Sequence, residues 1–199
     1  MEIDQQLNNE EIQEVRIIES GLVLSEDRTV LISYTGNKPA CRLPNTVKVI
    51  ANGAFGNCYA LYSIQMTENL TTIGKGAFEY CTRLASITIP DSVTEIEEYA
   101  FAYCSSLVLL DLPKKLTKIS KGTFGTCKRL FAISIPSSVT EIEDNAFEKC
   151  GGLISVSLPD KLKRIGKGAF EDCGKLTEIV IPENVTGIDE YAFFYCENL

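Results

Sequence analysis

Cysteine is the residue of this chain with the widest chemical scope, because a thiolate binds metals, forms disulfides and acts as a nucleophile. Seven of the eight cysteines recur every 23 residues: Cys58, Cys81, Cys104, Cys127, Cys150, Cys173 and Cys196. No C-x-x-C pair occurs. Thiols stacked in one column point the same way, which suits neither tetrahedral zinc nor a relaxed disulfide. We therefore interpret the column as small core residues and predict no metal and no cofactor.

The other residues offer little for catalysis. Cys41 lies outside the 23-residue register and is the candidate for a reactive or disulfide-forming thiol. The chain has no histidine, which excludes Ser-His-Asp and Cys-His catalysis and histidine metal sites. No insertion interrupts any repeat, so no separate loop is available to carry a site. These observations predict a protein that is not an enzyme.

The overall charge restricts the class of partner. The formal net charge is -8 at pH 7, which repels phosphate backbones and predicts no nucleic-acid partner.

The sequence also shows no membrane or targeting segment. No apolar run approaches 18 residues, which predicts no transmembrane segment. The first residues lack the basic and apolar regions of a secretory signal.

Charged residues alternate in sign from one repeat to the next. One column consists of Lys75, Glu98, Lys121, Asp144, Lys167 and Glu190. A second column consists of Glu95, Lys118, Glu141 and Arg164. Opposite charges one strand apart attract, and a slip by one repeat brings like charges together, so the columns are expected to set the register. A ligand-binding strip is the alternative interpretation.

A phenylalanine accompanies each of these seven cysteines, and their common spacing indicates the architecture that positions the cysteines. The seven are Phe55, Phe78, Phe101, Phe124, Phe147, Phe170 and Phe193. Self-similarity at this period is typical of a solenoid, in which each repeat buries its apolar face against its neighbours. Because the phenylalanine follows an alanine at the same register in most repeats, we interpret the column as a core ladder and not as a stacking site for a ligand. Burying each ring contributes roughly 1.5–3 kcal/mol.

The local pattern predicts three elements in each repeat. In the repeat at Ile89, a preceding L-x-x-I-x-I segment alternates as a strand does, and Pro90 ends that strand because it has no amide hydrogen. Val93 and Ile96 predict a second short extended run. Ala100, Phe101 and Cys104 have the spacing of one helical turn.

The domain boundary is predicted at residue 42. Two β-rich runs, 21–24 and 29–34, flank a polar turn and predict a β-hairpin within an N-terminal cap over residues 1–42. Residues 43–199 are six full 23-residue repeats and a truncated seventh. No polar unit closes the seventh repeat, which suggests a fragment boundary, and an uncovered last repeat favours end-to-end self-association.

The consensus L-x-x-I-x-I-P-x-x-V-x-x-I-x-x-x-A-F-x-x-C resembles the BspA-like, or Treponema-type, leucine-rich repeat. The resemblance covers residues 43–199, and the preceding hairpin is similar to that family's cap. It implies an α/β repeat solenoid: a right-handed superhelix with a parallel β-sheet on its concave face and short helical or 3-10 turns on the other side. It also implies a protein-binding module. Members of the family are mostly surface or secreted proteins of bacteria and protozoa. Several of them bind host matrix proteins or cells.

The outward positions of the main strands are the predicted partner-binding surface on the concave face. They are Ser63, Gln65, Ser86, Thr88, Leu109, Asp111, Ala132, Ser134, Ser155, Ser157, Glu178 and Val180. They are small and mostly uncharged, which resembles an adaptable protein-binding face more than a catalytic pocket. A plain solvated sheet is the alternative.

The resemblance favours a cell-surface or secreted adhesin-like protein that attaches to a host matrix or cell-surface protein. An intracellular protein–protein interaction scaffold is the alternative, supported by the unpaired thiols and the missing signal. A set of tyrosines near the predicted turns either anchors a partner or covers the backbone of the next repeat. These are Tyr80, Tyr99, Tyr103, Tyr191 and Tyr195.

Overall fold

A computed structural model describes residues 17–199, in which each 23-residue repeat makes one coil of a β-solenoid. The repeats begin at Leu43, Met66, Ile89, Leu112, Ile135, Leu158 and Ile181 and are numbered one to seven here. The fifteen strands are β1 Ile17–Glu19, β2 Leu22–Leu24, β3 Val30–Tyr34, β4 Ala40–Arg42, β5 Val49–Ile50, β6 Ser63–Gln65, β7 Thr72–Ile73, β8 Ser86–Thr88, β9 Glu95–Ile96, β10 Lys118–Ile119, β11 Ala132–Ser134, β12 Glu141–Ile142, β13 Ser155–Ser157, β14 Arg164–Ile165 and β15 Gly187–Ile188.

The first sheet is built by the strand that ends each repeat. Strands β4, β6 and β8 pair in parallel, as do β11 and β13. Single parallel bridges add Leu109 beside Ser86 and Glu178 beside Ser155. In each strand the central residue is less exposed than the last one, as in Ser86–Thr88, where Ile87 is buried, and Cys41 of β4 is the one central residue that is only partly buried. The alternation of the sequence therefore fixes which side chains face the core.

The second sheet is built by the short extended run after each proline. Strands β5, β7 and β9 pair in parallel, and β10, β12, β14 and β15 form a second parallel group. The cap joins this sheet, because β2 and β3 form the antiparallel hairpin predicted from the sequence and β3 then pairs with β5. The part of the predicted cap at residues 1–16 lies outside the described residues.

Both sheets are interrupted at the joint between repeats three and four. In the second sheet, the hydroxyl of Ser120 donates to the carbonyl of Ile96 at 2.6 Å. At the equivalent position two repeats earlier, the backbone amide of Gly74 donates to the carbonyl of Ile50 at 2.8 Å. A side chain thus replaces a rung of the backbone ladder at this joint.

The predicted helical or 3-10 turns are wrong for residues 17–199, where the third element is a run of tight turns. The amide of Phe78 donates to the carbonyl of Ala100 in the next repeat, at 2.8 Å. Gly76 and Tyr80 adopt left-handed backbone, with φ of 58° and 60°, and the equivalent positions do so in all seven repeats. A helix needs consecutive right-handed residues that bond within their own segment. The described chain is therefore a β-solenoid and not an α/β fold.

The core is a continuous ladder of aromatic rings enclosed by the two sheets and the turns. Neighbouring phenylalanines from Phe55 to Phe193 stack with centroids 5.0–5.7 Å apart and with planes within 14° of parallel. Six of the seven rings are fully buried. The widest spacing, 5.7 Å between Phe101 and Phe124, falls at the joint where both sheets are interrupted. The core ladder predicted from the sequence is the arrangement observed.

Candidate functional site

The twelve predicted binding residues lie on the outward side of the first sheet, named here the first-sheet face. The register places Ser63 beside Ser86 and Gln65 beside Thr88. It likewise places Ala132 beside Ser155, and Ser134 beside Ser157. Residues 23 apart are therefore neighbours, and the outward positions form two columns that cross the repeats. That these columns bind a partner stays a prediction.

The centre of the first-sheet face is a shallow trough of small polar and apolar side chains. Residues of repeats two to five line it: Ser86, Thr88, Leu109, Asp111, Ala132, Ser134, Ser155 and Ser157, with Ile87, Leu110, Ile133 and Val156 at its floor. Leu109 is 60% exposed, which is unusual for a leucine within a sheet. Asp111 is the only ionisable residue of this lining, so the trough offers a contact surface and no catalytic group.

Two aromatic residues at the edge of this face were missed by the prediction from sequence. Tyr62 and Phe131 are 53% and 50% exposed and immediately precede strands β6 and β11. The amide of Phe131 donates to the carbonyl of Val108 at 3.0 Å, which links repeats three and four at the joint where the first sheet is interrupted. The only sequence signal was a large aromatic residue one position before the strand.

The thiol column lies in the core. Five cysteines are buried: Cys81, Cys104, Cys127, Cys150 and Cys173. Each of their sulfur atoms lies 3.1–3.3 Å from the carbonyl oxygen of the phenylalanine 26 residues earlier and donates to it. The same carbonyl accepts a backbone amide, as Phe78 does from Cys81. The thiols are therefore core residues, as the sequence predicts, and they also donate hydrogen bonds between repeats.

Burial makes these thiols weak nucleophiles. Desolvation raises the pKa of Cys81 to about 12 and raises the pKa of Cys104 and Cys127 well above the ordinary value. Cys41, the candidate reactive thiol, occupies the inward position of β4 beside Ile64. Desolvation raises its pKa to about 11, so very little thiolate is present at neutral pH. Cys41 therefore has none of the activation that a nucleophilic cysteine needs.

The thiol column predicts a loss of stability at alkaline pH. A thiol whose pKa is higher in the folded than in the unfolded state favours folding fully below the unfolded pKa of about 8.5 and loses this contribution as pH rises toward the folded value. We expect a pH-independent free energy of unfolding up to about pH 8. Above that it falls by as much as ~1.4 kcal/mol per pH unit for each thiol. Chemical denaturation under reducing conditions between pH 7 and 11 measures this.

The control for the alkaline effect is Cys104→Ala/Cys127→Ala, which removes two thiols with raised pKa values. The double variant is expected to be less stable at pH 7 but to lose stability less steeply above pH 8.5. Equal slopes for the two proteins would show that lysine or tyrosine ionisation, and not the thiol column, causes the decline.

The charge columns form discrete contacts between repeats. Lys75 Nζ lies 2.8 Å from Glu98 Oε2, and Lys167 Nζ lies 3.5 Å from Glu190 Oε2. In the second column Arg164 contacts Glu141 of the preceding repeat, and it also contacts Asp189 of the following one. Lys118 instead binds Glu143, at 2.7 Å. The alternating signs thus connect neighbouring repeats, which agrees with a role in register.

The tyrosines near the turns lie in two different settings. The ring of Tyr99 lies directly over Gly122 of the next repeat, where a side chain would collide with it. Tyr80 and Tyr103 stack with centroids 4.3 Å apart. In the last repeat, Tyr195 is exposed, as are Phe194 and Leu199. Tyr99 thus covers backbone, whereas end-to-end pairing through the exposed last repeat stays a prediction.

The repeat pattern and this geometry agree with a known family. The model of the BspA type leucine rich repeat region matches residues 33–153 and 95–199, in six copies. The chain belongs to the BspA-type leucine-rich repeat family. Leucine-rich repeat proteins of this kind are generally non-enzymatic protein-interaction modules.

Solved structures of leucine-rich repeat proteins resemble the chain over most of its length. A leucine-rich repeat protein of T. pallidum is 35% identical, with a TM-score of 0.83, over 88% of this chain and 86% of that one. A leucine-rich cell surface protein of Faecalibacterium prausnitzii is 33% identical, with a TM-score of 0.82, over 94% of this chain and 53% of that one. A leucine-rich repeat protein of Bacteroides ovatus is 33% identical, with a TM-score of 0.80, over 93% of this chain and 50% of that one.

The chain spans about half the length of the last two proteins. No curated protein matches it. Across residues 17–199 the structure contains no helix with the length and hydrophobicity needed to span a bilayer.

Proposed function

We propose that this BspA-type chain is a binding module that holds a protein ligand against its first-sheet face. The observation that carries the proposal is the alignment of the outward columns over successive repeats, with Leu109 exposed at their centre. Small hydroxyl side chains accept varied contacts, and a leucine that faces solvent supplies an apolar contact on which a partner can be anchored.

The shape of the face favours a macromolecule over a small ligand. Small-molecule sites enclose most of the ligand in a cleft, whereas this trough is shallow and crosses four repeats. Strand pairing holds the backbone of the face on either side of the joint between repeats three and four, and the bond from Phe131 to Val108 links the two parts, so little conformational entropy is lost when a partner binds. The resemblance to the family implies that this face is the concave one of a right-handed superhelix, which adds area for a convex partner.

The proposed location is the cell surface or the extracellular medium, with attachment to a host matrix or cell-surface protein as the role. The description of the F. prausnitzii relative as a cell surface protein supports this proposal. Individual contacts of small side chains are weak, and display of many copies on one surface raises the avidity.

The test is capture by a panel of immobilised extracellular-matrix proteins and by intact host cells. Ser134→Glu/Ser157→Glu places two long charged side chains on the first-sheet face, where both serines are exposed. Thr94→Glu/Thr117→Glu is the matched control at exposed positions by the second sheet. We expect at least a tenfold loss of capture for the serine variant and less than a twofold change for the threonine variant. Equal losses, or a loss only in the control, would exclude the first-sheet face as the binding surface.

A further inference from the structure

A basic edge runs beside the apolar part of the first-sheet face. It consists of Arg83 in repeat two, Lys128 and Arg129 in repeat four, and Lys175 in repeat six, and all four side chains are exposed. None of the four forms an ion pair with another residue between 17 and 199. These four cations form a local positive patch on a protein with a net charge of -8.

The basic edge and the exposed apolar residues are neighbours. Arg129 and Phe131 lie on either side of the buried Leu130 in the sequence, and both are exposed. Leu109 lies in the adjacent repeat, next to Val108, whose carbonyl accepts the amide of Phe131. Phe131 and Leu109 are half or more exposed. An apolar contact and a cationic contact are thus available to the same ligand.

The cations of the basic edge have a defined spacing. Arg83, Arg129 and Lys175 are 46 residues apart, which is two repeats. Stacked phenylalanines of consecutive repeats are 5.0–5.7 Å apart, so these three positions follow one another at about 10–11 Å along the stack. The intervening repeats place Ser106 and Gly152 at the same register, so the positive charge recurs only at every second repeat.

We propose that the basic edge and the apolar residues Leu109 and Phe131 bind an acidic, extended polypeptide segment with a carboxylate at every third residue. In a polyproline II segment, side chains three residues apart share one face and are about 9.3 Å apart, which the long side chains of the basic edge can reach. In a β-strand, side chains three apart point to opposite faces and do not match. Apolar residues between the carboxylates then contact Phe131 and Leu109, and guanidinium groups bind carboxylates at two points.

The net charge of the chain favours a short acidic segment over a nucleic acid. A long polyanion meets the repulsion of the whole protein, whereas a segment of about ten residues lies mainly within the local field of the four cations, because screening acts over ~8 Å at physiological salt. The proposal rests on the proposed function, because it names the chemistry of the ligand that the first-sheet face receives.

The experiment measures fluorescence anisotropy with a labelled peptide of four Glu-Pro-Leu triplets. The first control peptide carries Lys in place of Glu. The second has the same composition with its four Glu residues consecutive. We expect the triplet peptide to bind at least tenfold more tightly than either control, and its affinity to fall as salt is raised from 50 to 300 mM.

Two charge reversals locate the site. Arg129→Glu is expected to weaken binding of the triplet peptide at least tenfold. Lys161→Glu changes an exposed lysine in the turn that follows strand β13, at the opposite ends of the first-sheet strands from the basic edge. It is expected to change the affinity less than twofold. The stability of both variants is first compared with that of the parent by chemical denaturation, because a folding defect would weaken peptide binding independently of charge.

Three results would overturn the proposal: no binding of the triplet peptide, equal affinity for the consecutive-Glu peptide, or equal effects of the two charge reversals. If the peptide fails to bind while the Ser134→Glu/Ser157→Glu variant still loses capture of a matrix protein, the acidic-segment proposal fails and the protein-binding function stands. If that variant also retains capture, both fail.

Discussion

Replacing Phe124 by alanine is expected to lower the free energy of unfolding by about 3–5 kcal/mol. The ring is fully buried and stacks on Phe101 and Phe147, with centroids 5.7 and 5.4 Å away. Its removal leaves a cavity between two repeats, and the rings above and below cannot close it without separating from their own neighbours. The loss is therefore larger than the transfer free energy of the side chain alone.

The matched control for this substitution is Phe131→Ala, which removes the same side chain from a position that is half exposed. Its expected cost is about 0.5 kcal/mol, because no enclosed cavity results. The chain has no tryptophan, so denaturant titration followed by far-ultraviolet circular dichroism is the suitable measurement. Equal costs for the two substitutions would contradict a buried aromatic ladder. A large effect of Phe131→Ala on ligand capture with a small effect on stability would support its place in the binding face.

The sequence was sufficient to predict the stack and the side chains that each repeat buries. A fixed period without insertions determines that residues 23 apart are neighbours, as the pairing of Ile64 with Ile87 shows. The alternation of apolar and polar residues then determines which side chains of each strand face outward. For this reason the first-sheet face was identifiable before the structure, apart from its aromatic edge.

The turns were not predictable from the spacing of buried residues. Ala100, Phe101 and Cys104 are all buried, and the same spacing suits a helical turn or a pair of tight turns. The deciding feature is the left-handed backbone at Tyr99 and Tyr103, and tyrosine gives no local signal for that conformation. The glycines at the equivalent positions of other repeats, such as Gly76 and Gly122, were the available signal.

Charge partners were predictable by column but not by atom. The alternating signs predicted attraction between neighbouring repeats, and the contact of Lys75 with Glu98 agrees. Lys118, however, reaches Glu143 and not the column member Glu141. A long exposed side chain can contact any of several carboxylates at similar distances. The sequence therefore determines the charge of the residue that it contacts but not which residue that is.

Whole-repeat deletion is the measurement that most directly tests the stacking of 23-residue coils, on which both the core and the binding face depend. Deleting residues 112–157 removes two repeats and joins Asp111 to Leu158, at the start of an equivalent repeat. Glu98 then neighbours Lys167, so opposite charges still meet. Deleting residues 112–122 removes about half a repeat and joins Asp111 to Thr123, which puts every later side chain out of phase.

We expect the 46-residue deletion to retain a β-rich circular dichroism spectrum and a cooperative unfolding transition, with a lower free energy of unfolding because fewer interfaces remain. Deleting residues 112–134 removes a single repeat and keeps the phase, but it places Glu98 beside Asp144. The repulsion between these two carboxylates is expected to lower the free energy of unfolding of this variant. The 11-residue deletion is expected to lose the cooperative transition. A stable, cooperative 11-residue deletion together with an unfolded 46-residue deletion would contradict the stacked-coil structure.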